Sequence, residues 1–346
     1  MKKMWKGNHA IAEAAMRAGC EFYAGYPITP QTEVSEYLSW RMPELGRRFL
    51  QAENEMAAVY MIFGAYACGM RSMTSSSGPG FSLKQEGIAY LCANNFPAVM
   101  VNVQRWGPGL GTLDSSQTDY LRDPRGGGNG GIVFAPNSIQ ETVDLMYTAF
   151  DVAEKYRNPV EILSEAALGQ MMEPVEFPPF KERKEDLGWT FDGTDRPHGR
   201  IDNPEKPDAL RRKVQAMSKN EQRWENYLVE DADYVFVAFG LPSRTSRNAV
   251  DQLRAQGHKV GLIRPITVWP FPYEAFKAVP ETVKGFISVE STDDGQLIED
   301  VALAAKRMCK ENVPVYGLFS GQKIPKTKEI IRYFEGIVSG EHKEVY

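Results

Sequence analysis

Three stretches carry side chains that could do chemistry at the carboxyl ends of predicted strands. The first is Tyr26-Pro27-Ile28-Thr29-Pro30, behind the apolar run Cys20–Tyr26. Its spacing predicts a strand, then a helix with Thr29 as N-cap and Pro30 at the first helical position. The second is Gln51-Ala52-Glu53-Asn54-Glu55, between a predicted strand (48–52) and a predicted helix (54–67). The third is Arg105, which ends the strand-like run AVMVNVQ. Ligands of open α/β sheets gather outside the carboxyl ends of the strands. A glutamate such as Glu53 at that place is either a helix-start carboxylate favoured by the macrodipole or, if buried, a hydrogen-bonding partner for a ring nitrogen of a heterocycle. Arg105 is either a solvated cation or a forked clamp for a substrate carboxylate. Trp106 beside it either packs a loop or offers a flat wall to a bulky substrate.

The elements that must position these residues alternate. A helix over 8–17 precedes the first strand. The helix after Pro30 ends near 40–43, and the next presents Met56, Val59, Tyr60, Phe63 and Ala67 at helical spacing. Strand 71–76 runs into Ser77-Gly78-Pro79-Gly80, a turn of breaker residues, and a helix over 81–93 comes after it. Strands over 98–104, 132–135 and 159–164 flank a helix over 138–156. Long apolar strands without alternation suit a parallel sheet covered on both faces. Between Arg105 and Gly131 lies a glycine-rich loop of about 25 residues, a length usually functional or mobile. Residues 174–228, rich in Pro, Lys, Glu and Asp, read as an extended linker with a helix over 209–227. A second βα series then begins: strands over 234–240, 259–264, 285–290 and 313–319, and helices over 243–256, 296–308 and 325–338. The fold class is α/β with two doubly wound domains, 1–173 and 229–346.

Composition narrows the function. The chain has 346 residues, 42% hydrophobic and 25% charged, with a net charge of −5. The pI of about 5.6 argues against nucleic acid as a partner. No run is long and apolar enough for a membrane helix, and the basic N-terminus lacks the apolar core of a signal peptide, so the cytoplasm is the expected location. The four cysteines are scattered in apolar settings and read as buried core thiols; no metal-ligand set is expected within the chain. None of the four histidines forms a nucleophile-elbow pattern. Gly107-Pro108-Gly109-Leu110-Gly111 is not a dinucleotide fingerprint, and no P-loop occurs.

Five motifs, in order, add a resemblance: YAGYPITPQTE (23–33), QAENEMAAV (51–59), SSSGPGFSL (75–83), VNVQRWGPGLGT (101–112) and AEKYRNPVEILSEAALGQMM (153–172). Together they resemble the α subunit of the 2-oxoacid:ferredoxin oxidoreductases, nearest the 2-oxoisovalerate and 2-oxoglutarate types. Val289-Glu290 followed by Gly295-Gln296-Leu297 is similar to the transketolase C-terminal-like domain of that family.

The resemblance implies a thiamine-diphosphate pyrimidine-binding domain in the first half. Glu53 falls on the glutamate that bonds the aminopyrimidine. Thr29 falls on the loop threonine near the substrate, and Arg105 on the arginine that receives the substrate carboxylate. Pro27, Ile28, Ser77 and Gly78 are implied as cofactor wall, and Trp106 as a substrate contact. Oxidative decarboxylation of a 2-oxoacid with coenzyme A to acyl-CoA and CO2 is implied. So are a β subunit carrying the diphosphate site and Mg2+, γ and ferredoxin-like δ subunits with [4Fe–4S] clusters, and ferredoxin as acceptor. The alternatives are an aromatic 2-oxoacid enzyme passing electrons through a flavin subunit to NAD, a transketolase-like or decarboxylase enzyme without electron transfer, and a non-catalytic scaffold subunit. Where family members often carry GGGHGD-like residues, this chain has Gly126 to Gly131 with Asn129 among them, lacking the histidine and the acid.

Overall fold

The computed structural model describes residues 2–107, 112–122, 130–182, 187–191, 208–309 and 312–346. The chain runs β1 (Lys3–Lys6), α1 (Gly7–Arg17), β2 (Phe22–Gly25), α2 (Thr32–Glu44), β3 (Arg48–Gln51), α3 (Glu55–Ala67), β4 (Ser72–Ser76), α4 (Gly78–Ala93) and β5 (Ala98–Gln104). It continues through β6 (Ile132–Phe134), α5 (Ile139–Tyr156), β7 (Pro159–Glu165), α6 (Ala166–Gln170), β8 (Met172–Val175), α7 (Asp208–Asn220) and β9 (Trp224–Tyr227). The second half holds β10 (Tyr234–Val237), α8 (Gly240–Ala255), β11 (Val260–Pro265), β12 (Thr267–Trp269), a 3-10 turn (Tyr273–Ala278), β13 (Gly285–Glu290), α9 (Leu297–Met308), β14 (Val315–Phe319) and α10 (Thr327–Val338).

The first sheet has the order β12-β6-β7-β5-β4-β2-β3, parallel except for β12. Its central strands β4, β5 and β7 are wholly buried, apolar along most of β5 but polar along most of β4. One face is covered by α1, α2 and α5, the other by α3 and α4. The second sheet has the order β14-β13-β10-β11-β9, parallel except for β9. There α8 and α10 cover one face and α9 the other. The α/β class and the two sheet-centred halves agree with the sequence.

Four strands escape the sequence reading. β1 pairs with β8 antiparallel, bringing Trp5 against Phe177 at 4.8 Å between ring centroids. The expected helix over 209–227 stops at Asn220, and its last residues form β9 on the second sheet. Far from lying loose, α7 buries Met217 in the first core. β12 leaves the second half to close the edge of the first sheet, with Thr267 opposite Phe134. The Ser77–Gly80 segment is also more than a turn: α4 begins at Gly78.

A guanidinium joins the halves. Arg264 on β11, 6% exposed, forms two bonds of 2.9 Å with the Glu141 carboxylate on α5 and one of 3.0 Å with Glu225 on β9. Removing the guanidinium leaves the Glu141 carboxylate without its cation, while Glu225 keeps its ion pair with Arg247. Arg264→Met should therefore cost about 2–4 kcal/mol, the lower end reflecting the partly exposed acids. Denaturant unfolding would measure it, and a midpoint equal to wild type would show that the two halves are held elsewhere.

Candidate cofactor and substrate site

The Tyr26–Pro30 loop is fixed from beneath. Tyr23 and Ser75 share a bond of 2.7 Å, Ser75 donates to Gln31 Oε1 at 2.6 Å, and Gln31 Nε2 donates to the Tyr26 carbonyl at 3.2 Å. Asn8 Nδ2 holds the Pro30 carbonyl at 2.7 Å. The Thr29–Pro30 peptide is cis, and α2 starts only at Thr32, with Gln31 at the N-cap. Thr29 is thus no cap, contrary to the expectation: its carbonyl accepts from Arg105 Nη1 at 2.7 Å, and the residue stays exposed.

Arg105 leaves the carboxyl end of β5 and reaches Gly78 as well. A Cβ on Gly78, whose φ is +49°, would sit 3.5 Å from Arg105 Nε. That Nε is buried without a hydrogen-bond partner, as are Ser76 Oγ and Ser77 Oγ at the end of β4. Thr29, Arg105, Ser77 and Gly78 therefore converge, with Ile28 half-buried and Pro27 exposed in the adjoining loop. Trp106 is half-buried, but its indole N–H is committed to Asp293 Oδ2 at 2.7 Å, in the second half of the chain.

Glu53 lies in the bend just before α3. It is exposed, whereas Glu55 is 5% exposed. Asn54, extended and accepting from Ala57 N–H at 2.8 Å, then caps α3 and turns Glu55 inward. The Glu55 carboxylate lies against α4: a Cβ on Gly80 would come 2.5 Å from Glu55 Oε1 and 2.5 Å from the orphaned Ser76 Oγ. The sequence reading gives the aminopyrimidine role to Glu53 and takes Glu55 as a helix-start carboxylate. Met56 and Tyr60 are 43% and 37% exposed, and the buried row is Glu55, Ala58, Val59, Ile62, Ala65 and Tyr66. The 3.6-residue period of that row was the available signal.

Glu165, at the carboxyl end of β7 and in register with Gln104, was also missed. It is 1% exposed, and burial pushes its carboxyl up to about 8. Its Oε1 accepts from Gln117 Nε2 and from Leu241 N–H, each at 3.0 Å, while a Cβ on Gly240 would collide with it. The described part of the long loop is tied down in the same place. Gln117 N–H donates to the Ser291 carbonyl at 2.8 Å, and Tyr120 OH donates to Asp300 at 2.7 Å. Among the described residues, no group of three or more His, Cys, Asp or Glu gathers as metal ligands, and no helix is long and apolar enough to cross a membrane.

Residues 13–234 match the sequence family described as pyruvate flavodoxin/ferredoxin oxidoreductase, thiamine diP-binding, and residues 232–330 match pyruvate:ferredoxin oxidoreductase core domain II. The chain belongs to this family. It is 48% identical to the ketoisovalerate oxidoreductase subunit VorB of Methanothermobacter marburgensis over 316 residues, covering 88% of this chain and 90% of the relative. It is 36% identical to the 2-oxoglutarate synthase subunit KorA of Methanocaldococcus jannaschii, covering 87% and 94%. A solved structure of the 2-oxoglutarate:ferredoxin oxidoreductase from Magnetococcus marinus, with 2-oxoglutarate, coenzyme A and succinyl-CoA bound, shares the fold at a TM-score of 0.82 and 24% identity. The match covers 96% of this chain and 65% of that one.

Glu165 carries a pH signature. Its raised carboxyl keeps a proton in the folded state that the unfolded chain has lost, between about 4.5 and about 8. The folded state binds the extra proton, so stability falls as pH rises across that window. Glu165→Gln stays neutral at every pH. Its melting temperature, relative to wild type, should rise steadily from pH 5 to pH 8.5. A constant difference over that range would mean that Glu165 ionises as freely in the folded protein as in the unfolded chain.

Proposed function

We propose that this chain is the α subunit of a thiamine-diphosphate-dependent 2-oxoacid oxidoreductase that converts a branched-chain 2-oxoacid, or 2-oxoglutarate, with coenzyme A to acyl-CoA and CO2. The convergence of Arg105, Thr29, Ser77 and Gly78 beside the buried Glu55 carries the reading. The family match and the ketoisovalerate and 2-oxoglutarate relatives support it. Electrons pass to [4Fe–4S] clusters on partner subunits and on to ferredoxin. A β subunit supplies the diphosphate and Mg2+ site, alongside γ and ferredoxin-like δ subunits, in the cytoplasm. The division into 1–173, 174–228 and 229–346 is proposed too, supported by the separate sheets and qualified by β12 crossing between them.

The residues fit the pyrimidine half of the cofactor. Ser76 Oγ, Ser77 Oγ and Arg105 Nε are buried donors or acceptors without partners, and glycines 78 and 80 leave open backbone between them. When bound, thiamine diphosphate supplies the nucleophilic carbon and the electron sink for decarboxylation. Glu55 holds a proton toward the pyrimidine ring nitrogen, a role that passes to it from Glu53 on grounds of burial. Arg105 receives the substrate carboxylate through the part of its fork not bonded to Thr29. Trp106, anchored on Asp293, closes the side of the site toward the second half and keeps water out.

In the reconstituted complex, Glu55→Gln should lower turnover about 10²–10⁴-fold, the range of a lost general acid–base contribution. Glu53→Gln should stay within about twofold of wild type. The reverse order would return the role to Glu53, and two near-normal variants would reject the site.

The carboxylate clamp is tested separately. Arg105→Lys offers a point charge in place of a fork and should cost roughly 2–4 kcal/mol in kcat/KM for every 2-oxoacid. Trp106→Ala should lower all substrates in parallel together with the melting temperature, because its indole holds Asp293. A changed order of preference on a panel from pyruvate to aryl 2-oxoacids would instead make Trp106 a specificity residue and favour the aromatic reading.

A further inference from the structure

Asp293 stands exposed in the turn between β13 and α9, where a carboxylate ordinarily faces water. Its Oδ2 instead accepts from the indole N–H of Trp106 at 2.7 Å, across 187 residues of sequence. An indole has one donor and no acceptor, so this bond uses the whole polar capacity of the Trp106 side chain. The Trp106 backbone is tied within its own loop: its N–H donates to the Asp114 carbonyl and its carbonyl accepts from Thr112 N–H, each at 3.1 Å. Those two bonds travel with the loop, whereas Asp293 grips it from outside. The far end of the loop is held on the same turn. Gln117 N–H donates to the Ser291 carbonyl at 2.8 Å, and Gln117 Oε1 accepts from Ser291 N–H at 3.1 Å.

The turn itself is stiff. Gly321 N–H donates to the Thr292 carbonyl at 2.8 Å, Gly295 N–H donates to Thr292 Oγ1 at 3.0 Å, and buried Glu290 caps the start of α9. Trp106 directly follows Arg105 at the end of β5, and Gly107 after it has a φ of +97°, so the chain turns away at once. We propose that Asp293 is a positioning residue for Arg105. By holding the Trp106 indole, it sets the direction in which the chain leaves β5, and with it the approach of the guanidinium to a 2-oxoacid carboxylate. The inference rests on the reading that Arg105 receives that carboxylate.

Steady-state kinetics of the reconstituted complex tests this, with pyruvate, 2-oxoisovalerate and 2-oxoglutarate at saturating thiamine diphosphate, Mg2+ and coenzyme A. A displaced clamp weakens ground state and transition state alike. Asp293→Ala should therefore raise KM about threefold to tenfold for each 2-oxoacid and leave kcat within about twofold of wild type. Its affinity for thiamine diphosphate should be unchanged. Asp293→Asn keeps an acceptor oxygen and should bring KM back to within about twofold of wild type. Trp106→Phe keeps a ring and loses the N–H. It should raise KM as Asp293→Ala does, and the double variant should be no worse than either single one. An unchanged KM in Asp293→Ala, an Asn variant as impaired as the Ala variant, or additive losses in the double variant each overturn the proposal. So does a fall in kcat and cofactor affinity at constant KM, which marks a role in folding alone. If Asp293→Ala does not assemble, Trp106→Phe decides by the same KM. Arg105→Lys, run alongside, separates the two levels. If its kcat/KM matches wild type, the clamp reading itself fails. If it is impaired while Asp293→Ala matches wild type, only the role of Asp293 falls.

Discussion

Two side chains of opposite charge approach the start of α4 at Gly78, which has a positive φ, and at Gly80, which has no room for a Cβ. Arg105 comes in over Gly78 from β5, and Glu55 comes in over Gly80 from α3. A methyl group at Gly80 would displace the carboxylate by about the length of a bond, and one at Gly78 would demand a backbone conformation that side chains rarely take. The site is therefore defined by absent atoms on α4 as much as by present ones on its neighbours. The parallel sheet makes this possible. β4 and β5 end side by side, so the helix after one strand and the loop after the other must share the same few ångströms.

The second half of the chain contributes rigidity to that corner. Residues 116–121 lie on the β13–α9 junction, where Ser291, Gln296 and Asp300 hold them. Glu290 completes the junction. Its buried carboxylate accepts from the backbone N–H groups of Gln296, Leu297 and Ile298 and from the Ser288 hydroxyl, an anion seated on a helix N-terminus. Glu165 bridges Gln117 and Leu241 in the same layer. Arg105 is also held from both sides: Thr118 Oγ1 donates to its carbonyl at 3.3 Å, and its neighbour Trp106 rests on Asp293.

Much of this is legible in the sequence, and the failures share causes. Apolar strands such as 98–104 and 285–290 can be read to the residue because burial on both faces leaves no ambiguity. Short edge strands carry little apolar signal, so β1, β8, β9 and β12 are invisible; their partners are chosen by tertiary contact. Thr29 and Arg105 stand out as chemistry at strand ends. Glu55 is lost because an apolar helix offers two plausible faces. The charged residue at its start breaks the tie, but only if it is allowed to be buried. Lys84 cannot be found by pattern at all. A lysine inside a helix reads as surface, and what buries it is the position of Thr74 and Glu55 in space.

The face that misled the sequence reading also bears on how the site is completed. α3 is apolar nearly all round, yet Met56 and Tyr60 stand in solvent, as do Leu83 and Tyr90 on α4, with the Tyr60 and Tyr90 rings 6.2 Å apart. A helix hydrophobic on every side is normally buried on every side. These side chains begin one residue from Glu55 and one from Lys84, so whatever covers them also covers the approach to the carboxylate. Tyr26 and Thr29 are exposed as well. Low effective dielectric strengthens the interactions of buried groups such as Glu55 and Lys84, while Thr29 beside Arg105 stays open to solvent. The inner side of the site is fixed by this chain, and the apolar side chains at its rim stand in solvent.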